Sequence, residues 1–213
     1  LKEFCFDTET TDIDPHTAQL VGMSFSWKDH EAFYVPVPAD QKEAQALVDE
    51  FRSIFADERI VKIGQNLKYD ILVMGNYGIE VKGEIFDTMI AHYLVQPELR
   101  HNLDYLSELF LGYKKVATEE LIGKKGKNQR SMRDVAVSQI KEYAGEDADI
   151  TWQLKPILAR ELEKAGVEKL FREVEMPLLS VLVDMEQAGV KIDKEALDAY
   201  AEKLREQIIT LEK

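Results

Sequence analysis

The chain has 213 residues, 45% of them hydrophobic and 31% charged, with a formal net charge of −13 at pH 7. That length supports one sizeable core, or one core with an appendage. The acidic balance argues against a simple binder of duplex DNA, which carries a basic surface, but it leaves open an enzyme acting on nucleic acid, because bound metal ions reverse the local sign of an acidic cluster. The single cysteine excludes an internal disulfide and fits a reducing cytoplasm. No apolar run reaches the length of a membrane span, and no secretory signal is expected. Because the chain starts without Met on a strand and stops within a helical pattern, it is read as a fragment of something longer.

Phe4-Cys5-Phe6-Asp7-Thr8-Glu9-Thr10 reads as a short apolar strand ending in two carboxylates. Alternation puts Asp7 and Glu9 on one face. Two adjacent anions at the end of a buried strand repel each other and lose hydration, a cost that a divalent cation between them offsets. Hard oxygen ligands suit magnesium or manganese. A strand that simply ends in solvated acids is the plain alternative.

Residues 20–26 and 31–37 are expected as two further strands joined by a turn at Lys28-Asp29-His30, with Pro36 and Pro38 closing the hairpin. From Gln41 to Phe55, the residues Leu47, Phe51, Ile54 and Phe55 form one helical stripe. Residues 60–63 form a short strand, and Gly64-Gln65-Asn66-Leu67-Lys68-Tyr69-Asp70 leads into a helix ending near Tyr77. Asn66 is a candidate N-cap, and Asp70 suits the positive end of that helix; as a pair four apart they share a face if both are helical. Asp87, after Ile85-Phe86, fits a helix cap better than a second strand-end acid. Helical patterns follow over Thr88–Val95 and Asn102–Leu111. The order β-β-β-α-β predicts an α/β fold with a mixed sheet, an antiparallel hairpin start and helices around it.

Residues 123–133 hold Lys124, Lys125, Lys127, Arg130 and Arg133 without an acid. This is either a phosphate-contacting loop or a solvated one. From Val135 a helix runs toward Arg160, with Tyr143 and Asp147 on one face. Asp149 lies about 200° round from Asp147, so the two acids cannot serve one site. Phe171–Ala188 is another apolar helix. Asp193 then caps a charged helix to Lys213, and a boundary is expected near residue 172. Cys5 is expected in the core, and the four histidines show no metal-ligand spacing.

Three words in order, D-T-E-T, G-Q-N-L-K-Y-D and Y-A-G-E-D-A-D, resemble the three exonuclease motifs of the proofreading domain of bacterial family A DNA polymerases. G-K-N-Q at Gly126–Gln129, E-M-P-L at Glu175–Leu178 and G-V-K-I-D at Gly189–Asp193 are similar to that family as well. The resemblance implies a ribonuclease H-like fold over residues 1–172, with 173–213 as the helical opening of a polymerase region. It implies a 3′–5′ exonuclease with two divalent ions, magnesium or manganese, zinc being an alternative at one site. Asp7, Glu9 and Asp147 would hold one ion, Asp7 would bridge to the second, and Asp70 would support that second ion. Tyr143, with Glu9, would orient the attacking water. Ile13 would wedge near the terminal base, with Gln65 and Asn66 close to the bound strand. The implied partners are a single-stranded or frayed 3′ end of DNA and a covalently linked polymerase domain, with no membrane; no interface signature is seen, so a monomer is expected. Glu142 stands where some relatives of the superfamily have a histidine, and Tyr143 marks the tyrosine variant. The rival readings are an exoribonuclease of the ribonuclease D type and a non-catalytic scaffold domain.

Overall fold

The computed structural model describes residues 1–124, 126 and 128–212. Its centre is β1 (Glu3–Thr10), flanked by β2 (Leu20–Lys28) and β4 (Val61–Gly64) in a five-stranded sheet of order β3-β2-β1-β4-β5. The β2–β3 hairpin (β3, Glu31–Pro36) lies antiparallel to β1, whereas β4 and β5 (Ile85–Asp87) run parallel to it. This is the mixed sheet expected of a ribonuclease H-like fold. Parallel strands bring their carboxyl ends to one edge, where Asp7, Glu9 and Asp87 all stand.

Helices cover both faces, so β1 is buried front and back. On one face Phe4 meets Phe25 and Phe55, the Phe6 and Phe55 rings lie edge-to-face at 4.9 Å, and Phe25 stacks on Phe51 at 5.3 Å. Each such ring contributes about 1.5–3 kcal/mol by leaving water. The helix expected over 41–55 is broken into α1 (Gln41–Asp49) and α2 (Arg52–Ala56). A turn closed by Phe51 N donating to Val48 O separates them and lets both Phe51 and Phe55 reach the sheet. Asp40 caps α1 through the amides of Lys42 and Glu43.

The second face is covered by α7 (Val137–Ala165), a 29-residue helix that Gly166 ends in the left-handed conformation. Along the chain α3 (Leu67–Gly75) joins β4 to β5, and α4 (Thr88–Val95), α5 (Leu103–Leu106, widening into a π-turn to Leu111) and the short α6 (Thr118–Ile122) come between β5 and α7. The last was not expected from sequence.

After α8 (Glu168–Leu170) and a π-turn over Phe171–Glu175 come α9 (Met176–Ala188) and α10 (Lys194–Leu211). Phe171, Met176, Leu179 and Val183 join the same core as β1. By contrast, α10, capped by Asp193 as expected, buries no residue. No helix among the described residues is long and apolar enough to cross a membrane.

Candidate active site

The site forms where α7 passes over the end of β1, and the close approach depends on small residues. Cross-strand neighbours share a face, so the rows Cys5–Ser26–Ala32, Asp7–Ser24–Tyr34 and Glu9–Gly22 lie beneath α7. Against them α7 sets Ala144, Gly145 and Ala148; a Cβ on Gly145 would stand 3.5 Å from that of Ala32. Gly22 is required by Tyr34, whose hydroxyl lies 2.0 Å from where a Cβ on Gly22 would be. Cys5 is fully buried one row behind Asp7, as expected of a core residue.

This packing brings Asp7 and Glu9 of a strand together with Asp147 of a helix, about 140 residues later in sequence. One carboxylate oxygen from each lies within 4.8 Å of the others. Glu9 and Asp147 are 7% and 8% exposed. Loss of hydration pushes all three carboxyls up, and the neighbouring acids add to it: Glu9 reaches about 8, Asp147 about 6, and Asp7 is raised well above its ordinary value, with Asp70 and then Glu9 repelling it most strongly. Asp147 Oδ1 is buried and accepts no hydrogen bond; the Lys115 ammonium lies 2.8 Å away, paired with it by charge rather than aligned as a donor. Three crowded hard-oxygen donors, one from each carboxylate, fit a divalent cation.

Asp70 stands beside this group but is held differently. Its Oδ1 accepts from the Thr8 amide at 3.0 Å and the Thr8 hydroxyl at 2.6 Å. Burial pushes it up to about 7 against the pull of those two donors. Tyr143, one turn before Asp147, meets the Thr118 hydroxyl at 2.7 Å. Burial, then the Asp147 and Glu9 charges, raise its phenol far above the ordinary value, so it stays protonated.

Beside Glu9 opens a cleft of about 810 Å³, lined among others by Thr10, Ile13, Asn66, Tyr69 and Arg130. Ile13 is 84% exposed at its rim, on a loop that the Tyr69 hydroxyl ties down through Asp12 O and Thr10 Oγ1. Asn66 lies on the wall in the left-handed conformation (φ 63°). It stands at the N-cap position of α3, as expected, but its side chain makes no cap bond, because a capping side chain needs extended backbone and Asn66 is left-handed; Asp87 accepts from the Asn66 and Leu67 amides instead. Asp87 also caps α4 through Met89 and Ile90, as expected. Gln65 bridges the Thr88 hydroxyl and the His101 carbonyl.

The basic loop divides. Arg130 lines the cleft while donating to Leu121 O; Lys124 is exposed and is not part of the cleft wall; Lys125 and Lys127 lie outside the described residues. Arg133 turns inward to the carbonyls of Leu20 and Val37. Asp149, as its angle predicted, faces away from Asp147 and accepts from the His30 amide at 2.7 Å, holding the hairpin turn.

Sequence reading missed Lys115, Thr118, Thr8, Gly22 and Tyr34. Lys115 carries no local signal: it sits in an irregular segment, one of two adjacent lysines. Gly22 opposite a strand-end acid was the one legible hint, because a glycine inside a strand often marks a close approach.

Comparison with known proteins agrees with this architecture. The family model described as 3′–5′ exonuclease matches residues 1–163. DNA polymerase I of Borreliella burgdorferi is 35% identical over 199 residues, covering 92% of this chain and 21% of the polymerase, so the chain spans about a fifth of that relative's length. Among solved structures, Brucella melitensis NrnC with bound Mg2+ superposes with a TM-score of 0.69 at 25% identity, over 90% of each chain. Escherichia coli RNase D, an exoribonuclease, shares the fold with a TM-score of 0.65 at 18% identity, over 87% of this chain and 46% of that one. With its sheet order and motif residues, the chain belongs to the 3′–5′ exonuclease domain family of family A DNA polymerases.

Proposed function

We propose that this domain hydrolyses the terminal phosphodiester at the 3′ end of single-stranded or frayed DNA, as the proofreading part of a DNA polymerase I. The observation that carries the reading is the meeting of Asp7, Glu9 and Asp147 oxygens within 4.8 Å, with Glu9 also lining the cleft. These three would hold a divalent cation, with Asp70 supporting a second beside Asp7; magnesium or manganese suits the all-oxygen donor set. A pair of such ions supplies charge to both the entering and the departing oxygen of a phosphodiester. The chain's own residues do the rest. Protonated Tyr143, its hydroxyl fixed by Thr118, aligns the attacking water by hydrogen bonding together with Glu9. Ile13 offers an apolar face to the terminal base from the cleft rim, and Asn66 and Arg130 offer polar groups along the wall, where Arg130 suits a phosphate. Lys124, Lys125 and Lys127 extend the same basic loop. Gln65 acts behind them, tying the segment before α3 to Thr88 at the start of α4 and to the His101 carbonyl.

The C-terminal segment supports a linked polymerase. The resemblance to DNA polymerase I of Pseudomonas aeruginosa extends over 98% of this chain, past the exonuclease match, and residues 173–213 are proposed as the opening of that next domain. The likeness to RNase D favours one second reading, an exoribonuclease.

The test is shortening of a 5′-labelled DNA single strand in magnesium or manganese, with Asp7→Ala and the equivalent RNA strand alongside. The expected result is a ladder losing nucleotides from the 3′ end on DNA, absent in Asp7→Ala. Preference for RNA would establish the exoribonuclease instead. Inactivity on both, persisting in the longer polymerase, would leave a scaffold domain.

A further inference from the structure

Residues 113–118 cross the turn of α7 that carries Tyr143 and Asp147, and four contacts tie the two together. Tyr113 Oη and Val116 N both donate to the Glu146 carboxylate, the second at 2.8 Å. Thr118 meets the Tyr143 hydroxyl, and Lys115 meets Asp147. Lys115 is the most enclosed of the four, its side chain only 4% exposed. Its ammonium lies 2.8 Å from Asp147 Oδ1, 3.2 Å from Asp104 Oδ1 and 4.7 Å above the centre of the Tyr143 ring. A buried ammonium is costly unless it is paired; this one is paired twice and lies over an aromatic face. Its charge acts on Asp7 and Glu9 as well as on Asp147.

We propose that Lys115 is a positioning residue of the carboxylate site: a resident counter-ion that holds Asp147 in place without metal and opposes a divalent cation bound at the same carboxylate. The inference rests on reading Asp7, Glu9 and Asp147 as a cation site. The ammonium stays at the site because its side chain is 4% exposed and it is held between Asp104, Asp147 and the Tyr143 ring. Removing it therefore has two opposite effects. The empty site loses the charge that offsets its acids, and an incoming cation meets one repulsion fewer.

The experiment uses the full chain with Lys115→Met, which keeps the apolar stem. Mn2+ binding is followed by the electron paramagnetic resonance of the free ion, and melting is recorded in EDTA and in saturating Mn2+. Unit charges 4 Å apart interact strongly even in a partly polar interior, so the Mn2+ dissociation constant should fall about tenfold. The variant should melt lower than the parent in EDTA, and the gap should shrink in Mn2+. Lys115→Arg, which keeps the charge, should bind Mn2+ as the parent does. Unchanged Mn2+ affinity with an equal melting loss in both conditions would overturn the proposal in favour of plain packing; weaker Mn2+ binding would overturn it too. If the parent itself binds no Mn2+, the cation-site reading fails first, a result distinct from a parent that binds and a variant that matches it. Should Lys115→Met not fold, Lys115→Gln, neutral and able to hydrogen-bond both carboxylates, gives the same comparison.

Discussion

Two strands of one sheet carry an aspartate near the same edge, and the surroundings of the two differ completely. Asp87, at the end of β5, is 1% exposed and accepts four backbone amides, from Asn66, Leu67, Met89 and Ile90, at 2.7–3.3 Å. Its charge is spent on fastening the starts of two helices. Asp7, in β1, faces Glu9, Asp70 and Asp147 instead. Asp70 lies between these extremes, with two donors from Thr8 and acids beyond. A buried carboxylate surrounded by amides is structural; one surrounded by carboxylates is poised for a cation. Residue type and strand position do not separate the cases, but the partners do.

The comparison breaks most decisively in activity. Asp7→Ala should lower hydrolysis of a DNA single strand by about 10³-fold or more, since charge stabilisation of this kind is worth several kcal/mol. Its melting temperature in EDTA should be no lower than the parent's, because a like-charge repulsion is relieved. An Asp7→Ala chain that digests DNA near the parent rate would remove Asp7 from the site. Asp87→Ala should behave in the reverse sense. Two helix starts lose their acceptor, so urea unfolding should show a loss of about 2–4 kcal/mol, at roughly 1–2 per cap.

Metal sharpens the contrast further. At about 100 times its dissociation constant a ligand adds about 2.7 kcal/mol, so millimolar magnesium or manganese should raise the melting temperature by roughly 5–10 °C for a chain of this size. The rise should persist in Asp87→Asn and disappear in Asp7→Ala. An unmoved parent would count against an ordered cation site.

The pH dependence follows with its sign. Glu9 moves from an ordinary 4.5 to about 8 on folding, and Asp70 and Asp147 move the same way. A folded value raised above the unfolded one gives stability that is full below the unfolded value and is lost as pH rises through the folded one. In EDTA the melting temperature should therefore fall between about pH 4.5 and 8. Magnesium should flatten that slope, and a slope indifferent to magnesium would disconnect these carboxyls from the ion.

The smallest effect concerns two acids on one helix. Asp149→Ala removes the acceptor of the His30 amide and should cost about 1 kcal/mol while leaving hydrolysis unchanged. A large loss of activity would show that the hairpin turn feeds back on the site.

Much of the site was legible because it obeys local periods. Strand alternation put Asp7 and Glu9 on one face, and helix spacing joined Tyr143 to Asp147 and sent Asp149 elsewhere; the structure repeats each placement. Repulsion among acids at a strand end pointed to a cation before any coordinates. Tertiary structure alone decided the rest. Asp87 could be recognised as a cap for α4, but its grip on the start of α3 depends on β5 lying beside β4. The left-handed backbone of Asn66, likewise beyond local spacing, kept its side chain from capping α3. Lys115 reached Asp147 only because an irregular segment folds back across α7, and Arg133 left its basic loop because two carbonyls of the β2 and β3 ends needed a donor. Periodicity reports which way a side chain leaves its own backbone. Which partner it meets is set by how distant segments pack, and for buried charge the partner determines the role.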